Sequence, residues 1–480
     1  MVKQRGKKEK VSPTSNFPPA WVLVACLAVL VGLALYSGAA DGESGSAVAR
    51  DGGARRLAAG NPTAAEAERS KKKKKRRKKK KQQQASAWSD GYFAEEVVVD
   101  GDSASAAPRN AVLLPNGGDG APAAVTLSSD EEFAALGRVY NDVGQIVPSM
   151  RHFANGSTLY RAPTKKGRHF QWPAVRVGLK RTVPGLFSES GSPVEIETLT
   201  DPQNGHDPRV FYVHNFMSKA ETEHLISFAT DDRNPYKMAP STAATHKSWS
   251  EGGRGAVSTT RTSMNAFDMM TPVSFRIKER AFRLLRMGGY DEAMADGIQI
   301  LRYETGQAYI SHHDYFPTRQ SADHNWDPEA GGSNRFATIF LYLSDVEFGG
   351  QTVFPQTERL TNETSADLVA RLGKAPSAAK LAKLLEAARL RKNSWESELI
   401  RKCYTRFAVP PRAGDAILFY SQRPDGQLDP ASLHGACPVL TGTKWGANLW
   451  VWNACRFGQC KVDPLDPAGE LSKELKAPFN

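Results

Sequence analysis

Residues 303–316 read Tyr303-Glu-Thr-Gly-Gln-Ala-Tyr309-Ile-Ser-His312-His-Asp314-Tyr-Phe316 and hold the only His-x-Asp triplet of the chain. On a strand, residues i and i+2 share a face, so His312 and Asp314 can bind one ion while His313 points away. A third ligand must come from elsewhere. The best candidate is His434, in Ser432-Leu-His-Gly-Ala-Cys-Pro438. Two imidazoles and one carboxylate on one side of an octahedron leave three positions open, the way proteins hold Fe(II) for oxygen chemistry. Taken alone the triplet is weak evidence, because a structural or surface histidine is the commoner case. Lys444 follows His434 by ten residues, and Pro438 and Thr441-Gly442 mark a turn between them. That turn would bring Lys444 onto a neighbouring strand. A lysine aimed into a strand-lined pocket needs an anion, and a dicarboxylate bound to the metal would supply one. A lysine on a solvated strand face is the alternative.

Around this stretch the chain reads as short strands separated by Gly, Pro, Asn and Asp. Val194 to Leu199 alternates, Val210-Phe-Tyr-Val is a compact apolar run, and Ile298 to Tyr303, Phe336 to Leu343, Ala416 to Tyr420 and Ala447 to Trp452 follow. Ser218-Lys-Ala-Glu221 is a capping box that opens a helix through His224, Leu225 and Phe228. Many short strands with turn signals predict a mainly β fold with flanking helices (α+β), a sandwich or closed double sheet. Leu381, Leu384, Leu385 and Ala388 mark one face of a helix within an insertion at about 360–395.

At these residues the sequence resembles the prolyl 4-hydroxylases, 2-oxoglutarate- and Fe(II)-dependent dioxygenases, most closely the algal and plant type and the catalytic part of the collagen enzymes. The likeness begins at Tyr303 to Phe316. It continues through Arg335-Phe-Ala-Thr-Ile-Phe-Leu-Tyr342, Gly349-Gly-Gln-Thr352-Val-Phe-Pro and Pro411-Arg-Ala-Gly-Asp-Ala-Ile-Leu-Phe. It ends with Ser432-Leu-His434-Gly-Ala-Cys-Pro and Lys444-Trp-Gly-Ala-Asn-Leu-Trp450. It spans about 193–456. The resemblance implies a double-stranded β-helix, or jelly-roll, core. It implies His312, Asp314 and His434 as iron ligands. Lys444 would pair with the distal carboxylate of 2-oxoglutarate, and Tyr303, Thr352 and Tyr342 would help hold that cosubstrate. Asp296, Tyr309, Arg335 and Trp450 would line a peptide groove, with Asp296 standing where Glu is expected and Trp452 where His is frequent. Arg261-Thr-Ser resembles the start of a mobile substrate loop. Cys403 and Cys437 match a family disulfide, and Cys455 and Cys460 are expected to form a second, local bridge. The insertion at 360–395 is expected on the periphery.

The implied activity is peptidyl-proline 4-hydroxylation in proline-rich proteins, with 2-oxoglutarate and O2 consumed, succinate and CO2 released and ascorbate as a further cofactor. A lysyl or other side-chain hydroxylase on the same core is the runner-up, and Lys rather than Arg as the anion clamp favours the prolyl reading.

Charge and composition set the rest. The chain has 480 residues, 40% of them apolar, which excludes a wholly disordered or fibrous protein. Its net charge is +12, but residues 71–81 are eleven consecutive Lys and Arg, and without them the charge is +1. The folded part is nearly neutral, so no nucleic-acid partner is expected. Trp21 to Ala40 holds no charge and is long enough for one bilayer crossing. Five cations precede it, so the positive-inside rule predicts a single-pass type II signal anchor after a basic cytosolic tail, 1–20, with a lumenal body. A cleaved signal peptide is the rival. Residues 41–128 are read as a disordered stalk, 129–192 as a pre-domain segment and 457–480 as a tail. Four late cysteines suit disulfides in an oxidising compartment, and Asn155 and Asn362 head glycosylation sequons. Location in the endoplasmic reticulum or Golgi membrane is expected, and Ala477-Pro-Phe-Asn480 does not decide between them. The sequence leaves oligomeric state and the protein substrate open.

Overall fold

The computed structural model describes residues 108–456, apart from 119, 164, 166, 242–259, 270, 319–323 and 361–374. The anchor at 21–40, the basic run at 71–81, Asn362 and Cys460 lie outside the described residues. Among the described residues no helix is long and apolar enough to cross a membrane.

Ordered structure starts earlier than the composition suggests. Strands β1 (Arg109–Leu114), β2 (Ala123–Leu127), β3 (Val139–Tyr140) and β4 (Ser157–Arg161) form a four-stranded sheet in the order β2-β1-β4-β3. β1 and β2 fall within the stretch read as a stalk, which corrects its boundary at 128. The reason is non-local. A single short apolar run cannot stand alone, but β1 pairs in parallel with β4, more than forty residues away, and both bury side chains in a small core with Phe133, Val139 and Phe153.

The main body is a nine-stranded antiparallel sheet. Its members are β5 (Lys180–Phe187), β6 (Pro193–Thr198), β7 (Val210–His214), β8 (Ala239–Pro240), β9 (Met264–Asp268), β10 (Ile298–Tyr303), β12 (Arg335–Tyr342), β15 (Ala416–Tyr420) and β17 (Lys444–Trp452). They run in the order β5-β6-β7-β15-β12-β17-β10-β9-β8. β5 and the fully buried Trp172 carry the folded body back past residue 193. Trp172 donates its indole N–H to Leu284 O at 2.8 Å.

Side-chain alternation divides this sheet into two faces. Ile298, Ile300, Ala337, Ile339, Leu341, Leu418, Leu449 and Val451 face one core. That core is covered by helices α2 (Lys219–Thr230) and α3 (Pro272–Leu284); α1 (Asp130–Ala134) belongs to the small N-terminal sheet. α2 opens with the expected capping box, Ser218 and Glu221 bonding reciprocally. Glu221 also takes two hydrogen bonds of 3.0 Å from the buried Arg280 of α3, locking the two helices together.

Leu301, Tyr303, Phe340, Tyr342, Ile417 and Phe419 face the other way. Opposite them stands a second antiparallel sheet of β11 (Tyr309–His312), β16 (His434–Ala436), β13 (Thr352–Glu358) and β14 (Arg406–Val409), in the order β11-β16-β13-β14. Phe354, Phe407 and Val409 meet the larger sheet across a shared core. The result is the expected jelly-roll, with the site between its two sheets. Helices α4 (Ala378–Ala387) and α5 (Trp395–Thr405) pack Leu381, Leu384, Leu385, Leu399 and Ile400 against Ala308, Val353, Cys437 and Leu440. The helical part of the insertion therefore runs on to Thr405 and backs the ligand-bearing strands.

Candidate active site

β11 and β16 pair so that His312 and His434 are direct cross-strand partners. Their ring centroids are 4.6 Å apart, which brings together two residues separated by more than a hundred positions. Asp314, just beyond the end of β11, completes the set. His312 Nε2 is 3.6 Å from Asp314 Oδ1, and His434 Nε2 is 3.5 Å from Asp314 Oδ2. One donor atom from each residue lies within 4.8 Å of the others, a grouping able to hold one metal ion.

Each imidazole is turned for ligation by its other nitrogen. His312 Nδ1 donates to Ile310 O and His434 Nδ1 to Ser432 O, both at 2.9 Å. Nε2 is thereby left as the free base on each ring. Thr338 Oγ1 donates to Asp314 Oδ2 at 2.7 Å, and Arg335 donates to the Asp314 carbonyl at 3.2 Å. His313 turns away and bonds Pro430 O at 3.0 Å.

Burial pushes His434 down to about 4, against the pull of Asp314. Burial opposes ionisation of Asp314, yet His434, the His312 hydrogen bond and Arg335 together hold its carboxyl well below the usual range. A neutral His434 beside an ionised Asp314 is the protonation state a cation requires.

In the core between the same two sheets lies an uncompensated charge. Lys444 is completely buried, and its Nζ has no hydrogen-bond partner among the described residues. It is surrounded by rings, 4.9 Å from Phe340, 5.6 Å from Tyr303 and 5.9 Å from Tyr342. Burial lowers its pKa to about 7. A lone buried ammonium is costly, so the pocket is built for an anion that arrives with the ligand. Buried Thr352 accepts a hydrogen bond from Tyr342 Oη at 3.1 Å. Tyr303 is also buried, with Ser263 and Arg261 beside its hydroxyl.

The residues expected along a groove also converge. Tyr309 stacks on His312 at 3.8 Å, and the Arg261 guanidinium lies 4.7 Å over Tyr309. Arg335 covers the Trp450 ring at 3.7 Å and forms an ion pair of 3.1 Å with Asp296. Asp296 takes further hydrogen bonds from Trp452 Nε1 at 3.2 Å and Arg456 at 3.0 Å. The shorter carboxylate at 296 thus serves three donors, one of them the tryptophan at the position where histidine is frequent.

Residues 298–452 match the family model of the 2OG-Fe(II) oxygenase superfamily. Among curated proteins, the chain is 36% identical over 250 residues to probable prolyl 4-hydroxylase 3 of Arabidopsis thaliana, covering 51% of this chain and 69% of that one. It is 32% identical over 272 residues to probable prolyl 4-hydroxylase 8 of the same plant, covering 53% and 76%.

The chain belongs to the prolyl 4-hydroxylase family.

A solved structure of a viral collagen prolyl hydroxylase from Paramecium bursaria Chlorella virus-1, a 2OG complex, aligns with TM-score 0.30 at 19% identity, over 51% of this chain and 95% of that one. As a member of the prolyl 4-hydroxylase family the chain is a 2-oxoglutarate-dependent dioxygenase. The three metal donors and the orphaned Lys444 fit the iron and dicarboxylate that this membership implies.

The expected Cys403–Cys437 bridge is present and ties α5 to the end of the strand carrying His434. Cys455 is buried, and the pairing expected for it falls on Cys460, outside the described residues. Three polar residues of the site escape a reading by motif. Besides Thr338, Gln299 Oε1 accepts from Arg261 at 3.0 Å and from Asn448 Nδ2 at 3.2 Å. A signal for them existed. Each is a polar residue inside an apolar strand, on the face shared with Tyr342, Tyr303 and Lys444 respectively.

Proposed function

We propose that this prolyl 4-hydroxylase family member hydroxylates peptidyl proline at C4 in proline-rich proteins. The observation that carries the reading is the fully buried Lys444, its ammonium without a hydrogen-bond partner among the described residues, between the same two sheets that bring His312, Asp314 and His434 together. In this reading His312, Asp314 and His434 hold Fe(II). Lys444 takes the distal carboxylate of 2-oxoglutarate, with Thr352, Tyr342 and Tyr303 closing the pocket. When bound, Fe(II) and 2-oxoglutarate supply the chemistry that inserts one atom of O2 into a C–H bond, with succinate and CO2 as the other products.

The protein's own part is placement and exclusion of water. Phe419 lies 4.5 Å and Phe354 6.0 Å from the His434 ring, so the inner side of the centre is apolar and dry. Tyr309 and Arg335, with Trp450 and Asp296 behind them, offer aromatic and cationic surface to an extended peptide. Proline-rich segments suit such a groove because their polyproline-II conformation is set before binding.

The test is incubation of the protein with Fe(II), ascorbate and 2-oxoglutarate on a proline-rich peptide. The expected result is a gain of one oxygen on proline, lost in His434→Ala. Oxygen on lysine with none on proline would move the assignment to a lysyl hydroxylase.

The same proposal places the body in a secretory lumen behind the apolar segment at 21–40, in the endoplasmic reticulum or Golgi membrane. The Cys403–Cys437 bridge supports an oxidising compartment. Protease protection of the catalytic body in sealed microsomes, with the N-terminus digested, is the expected outcome.

A further inference from the structure

A cavity of about 470 Å³, lined by none of the metal ligands, opens where the end of β4 meets the loop that follows β15. Its size falls within the roughly 300–1,000 Å³ of ordinary ligand sites. Its walls carry Arg161, Lys165, Arg168 and Arg423 against a single acid, Asp425. The cations are poorly matched inside the protein. Arg161 and Lys165 are exposed and have no carboxylate partner among the described residues. Lys165 reaches only the Glu329 carbonyl, at 3.5 Å. Arg168 pairs with the Glu329 carboxylate at 3.9 Å, and Arg423 with Asp429 at 3.5 Å. Asp425 accepts the Gln427 N–H at 3.0 Å and is engaged within its own loop.

Both walls of this cleft are bonded to the frame of the catalytic groove. Gly167, between Lys165 and Arg168, accepts a 3.2 Å hydrogen bond from Asn453 Nδ2, three residues past Trp450. Gln422, next to Arg423, donates from Nε2 to the Arg335 carbonyl at 3.4 Å. A few residues of extended chain, about 3.3–3.6 Å each, span the step from Arg335 to the cations. The wall chemistry narrows the ligand. Pro115, Pro163 and Pro424 offer ring surface and no N–H donor. A compact phosphate is commonly held in a nest of backbone N–H groups, which prolines cannot supply. Three arginines spread over the walls suit planar carboxylates, which a guanidinium takes through paired hydrogen bonds.

Given the proline-hydroxylase reading, on which this step rests for its substrate, we infer that the cleft of Arg161, Lys165, Arg168 and Arg423 docks an acidic stretch of the polypeptide substrate, a run of Asp or Glu a few residues from the reacting proline. The groove holds the reacting segment and the cleft holds the acid beside it. Two separated contacts on one chain reinforce each other, because the second forms at the high effective concentration set by a short link. The enzyme then selects among proline-rich chains by their charge as well as by their prolines.

The experiment measures equilibrium binding of three peptides to the full protein loaded with Fe(II) and 2-oxoglutarate, without O2, and then their hydroxylation in air. Two peptides share one proline-rich stretch and differ only in a flanking run, all glutamate or all glutamine. The third carries the glutamates and no proline. At low salt the glutamate peptide is expected to bind about tenfold tighter than its glutamine twin, with a KM lower by the same factor and the same kcat. The advantage should vanish near 1 M salt, where the screening length is about 3 Å. Arg161→Gln with Lys165→Gln is expected to erase the difference, and Arg161→Glu with Lys165→Glu to turn it toward a lysine-flanked peptide. The basic run at 71–81 also attracts acid, so a preference that survives both pairs of substitutions belongs to that run and overturns the cleft. Equal binding of the twins overturns it as well and leaves the proline-hydroxylase reading intact. Binding of polyglucuronate through Arg161 and Lys165, with none of the glutamate peptides, overturns the assignment to a polypeptide. If neither twin is hydroxylated while the proline-free peptide still binds through Arg161 and Lys165, the acidic site stands and the proline-hydroxylase reading falls.

Discussion

The hydroxyl of Thr338, on the nine-stranded sheet, donates a 2.7 Å hydrogen bond to Oδ2 of Asp314, the carboxylate placed by the opposing sheet. The bond crosses the jelly-roll and fixes which carboxylate oxygen is left for a metal. Replacing Thr338 with Val keeps the shape and removes the donor. Outer partners of this kind change metal affinity by about 10–100-fold. Thr338→Val is therefore expected to weaken Fe(II) or Mn(II) binding by about tenfold or more with little change in melting temperature, as read by metal titration and calorimetry. Wild-type metal affinity in this variant would refute the role.

Lys444 carries opposite consequences for stability and for binding. Its pKa in the folded chain is about 7, below its ordinary value of 10.5. Between those two values the unfolded chain keeps a proton that the folded chain has released. Stability of the ligand-free protein should then rise with pH through that window, and the full cost is present below pH 7. Lys444→Met removes the cost and should stabilise the ligand-free protein at pH 6 by up to about 4 kcal/mol. The same substitution should weaken 2-oxoglutarate binding by at least about a hundredfold, because the ligand's carboxylate loses its buried partner. In the wild type, 2-oxoglutarate affinity should fall as pH rises above 7. Denaturation curves at pH 6 and 9 and ligand titrations across that range check both signs.

Much of this site was open to reading from the chain. Ile298 to Tyr303, Ala416 to Tyr420 and Ala447 to Trp452 read as short, largely apolar runs because both faces of each strand are buried, in different cores. His312, Asp314, His434 and Lys444 are titratable residues at or just beyond the ends of strand-like stretches, so they stand out. The first strand was hidden because Arg109–Leu114 gains its stability from a parallel partner at Ser157–Arg161, and no local pattern reports a pairing at that range. Thr338, Gln299 and Asn448 were hidden for another reason. A polar side chain in an apolar run signals a buried partner but not which one, and only the cross-strand register supplies that.

Asp296 is a shared acceptor for Arg335, Trp452 and Arg456. Removing it leaves two guanidinium groups without their carboxylate and frees Arg335 to leave the Trp450 face. Asp296→Ala is expected to raise the KM for a proline-rich peptide about tenfold while 2-oxoglutarate affinity stays near wild type. A matching loss for both ligands would instead mean a general collapse of the pocket.

The bridge between Cys403 and Cys437 closes a sequence separation of 34. In the chain-entropy model such a loop is worth about 3–4 kcal/mol. Cys403→Ser should lower the melting temperature accordingly, and because Cys437 follows His434 by three residues, it should also speed metal loss into a chelator. An unchanged chelation rate would confine the bridge to global stability.

The segment between the small N-terminal sheet and β5 grips the far end of the catalytic strands. His169 Nε2 bonds the Asn453 carbonyl at 2.6 Å, Gln171 reaches Gln422 O at 2.8 Å, and Asn453 Nδ2 reaches Gly167 O at 3.2 Å. Trimming the protein to residues 298–452, the stretch that matches the family model, would strip this clasp from beside Trp452 and leave the Gln422 carbonyl without its Gln171 donor. The residues ahead of the catalytic strands are thus part of the enzyme's working body, and a fragment that keeps this end of the strands closed has to include residues 167–171.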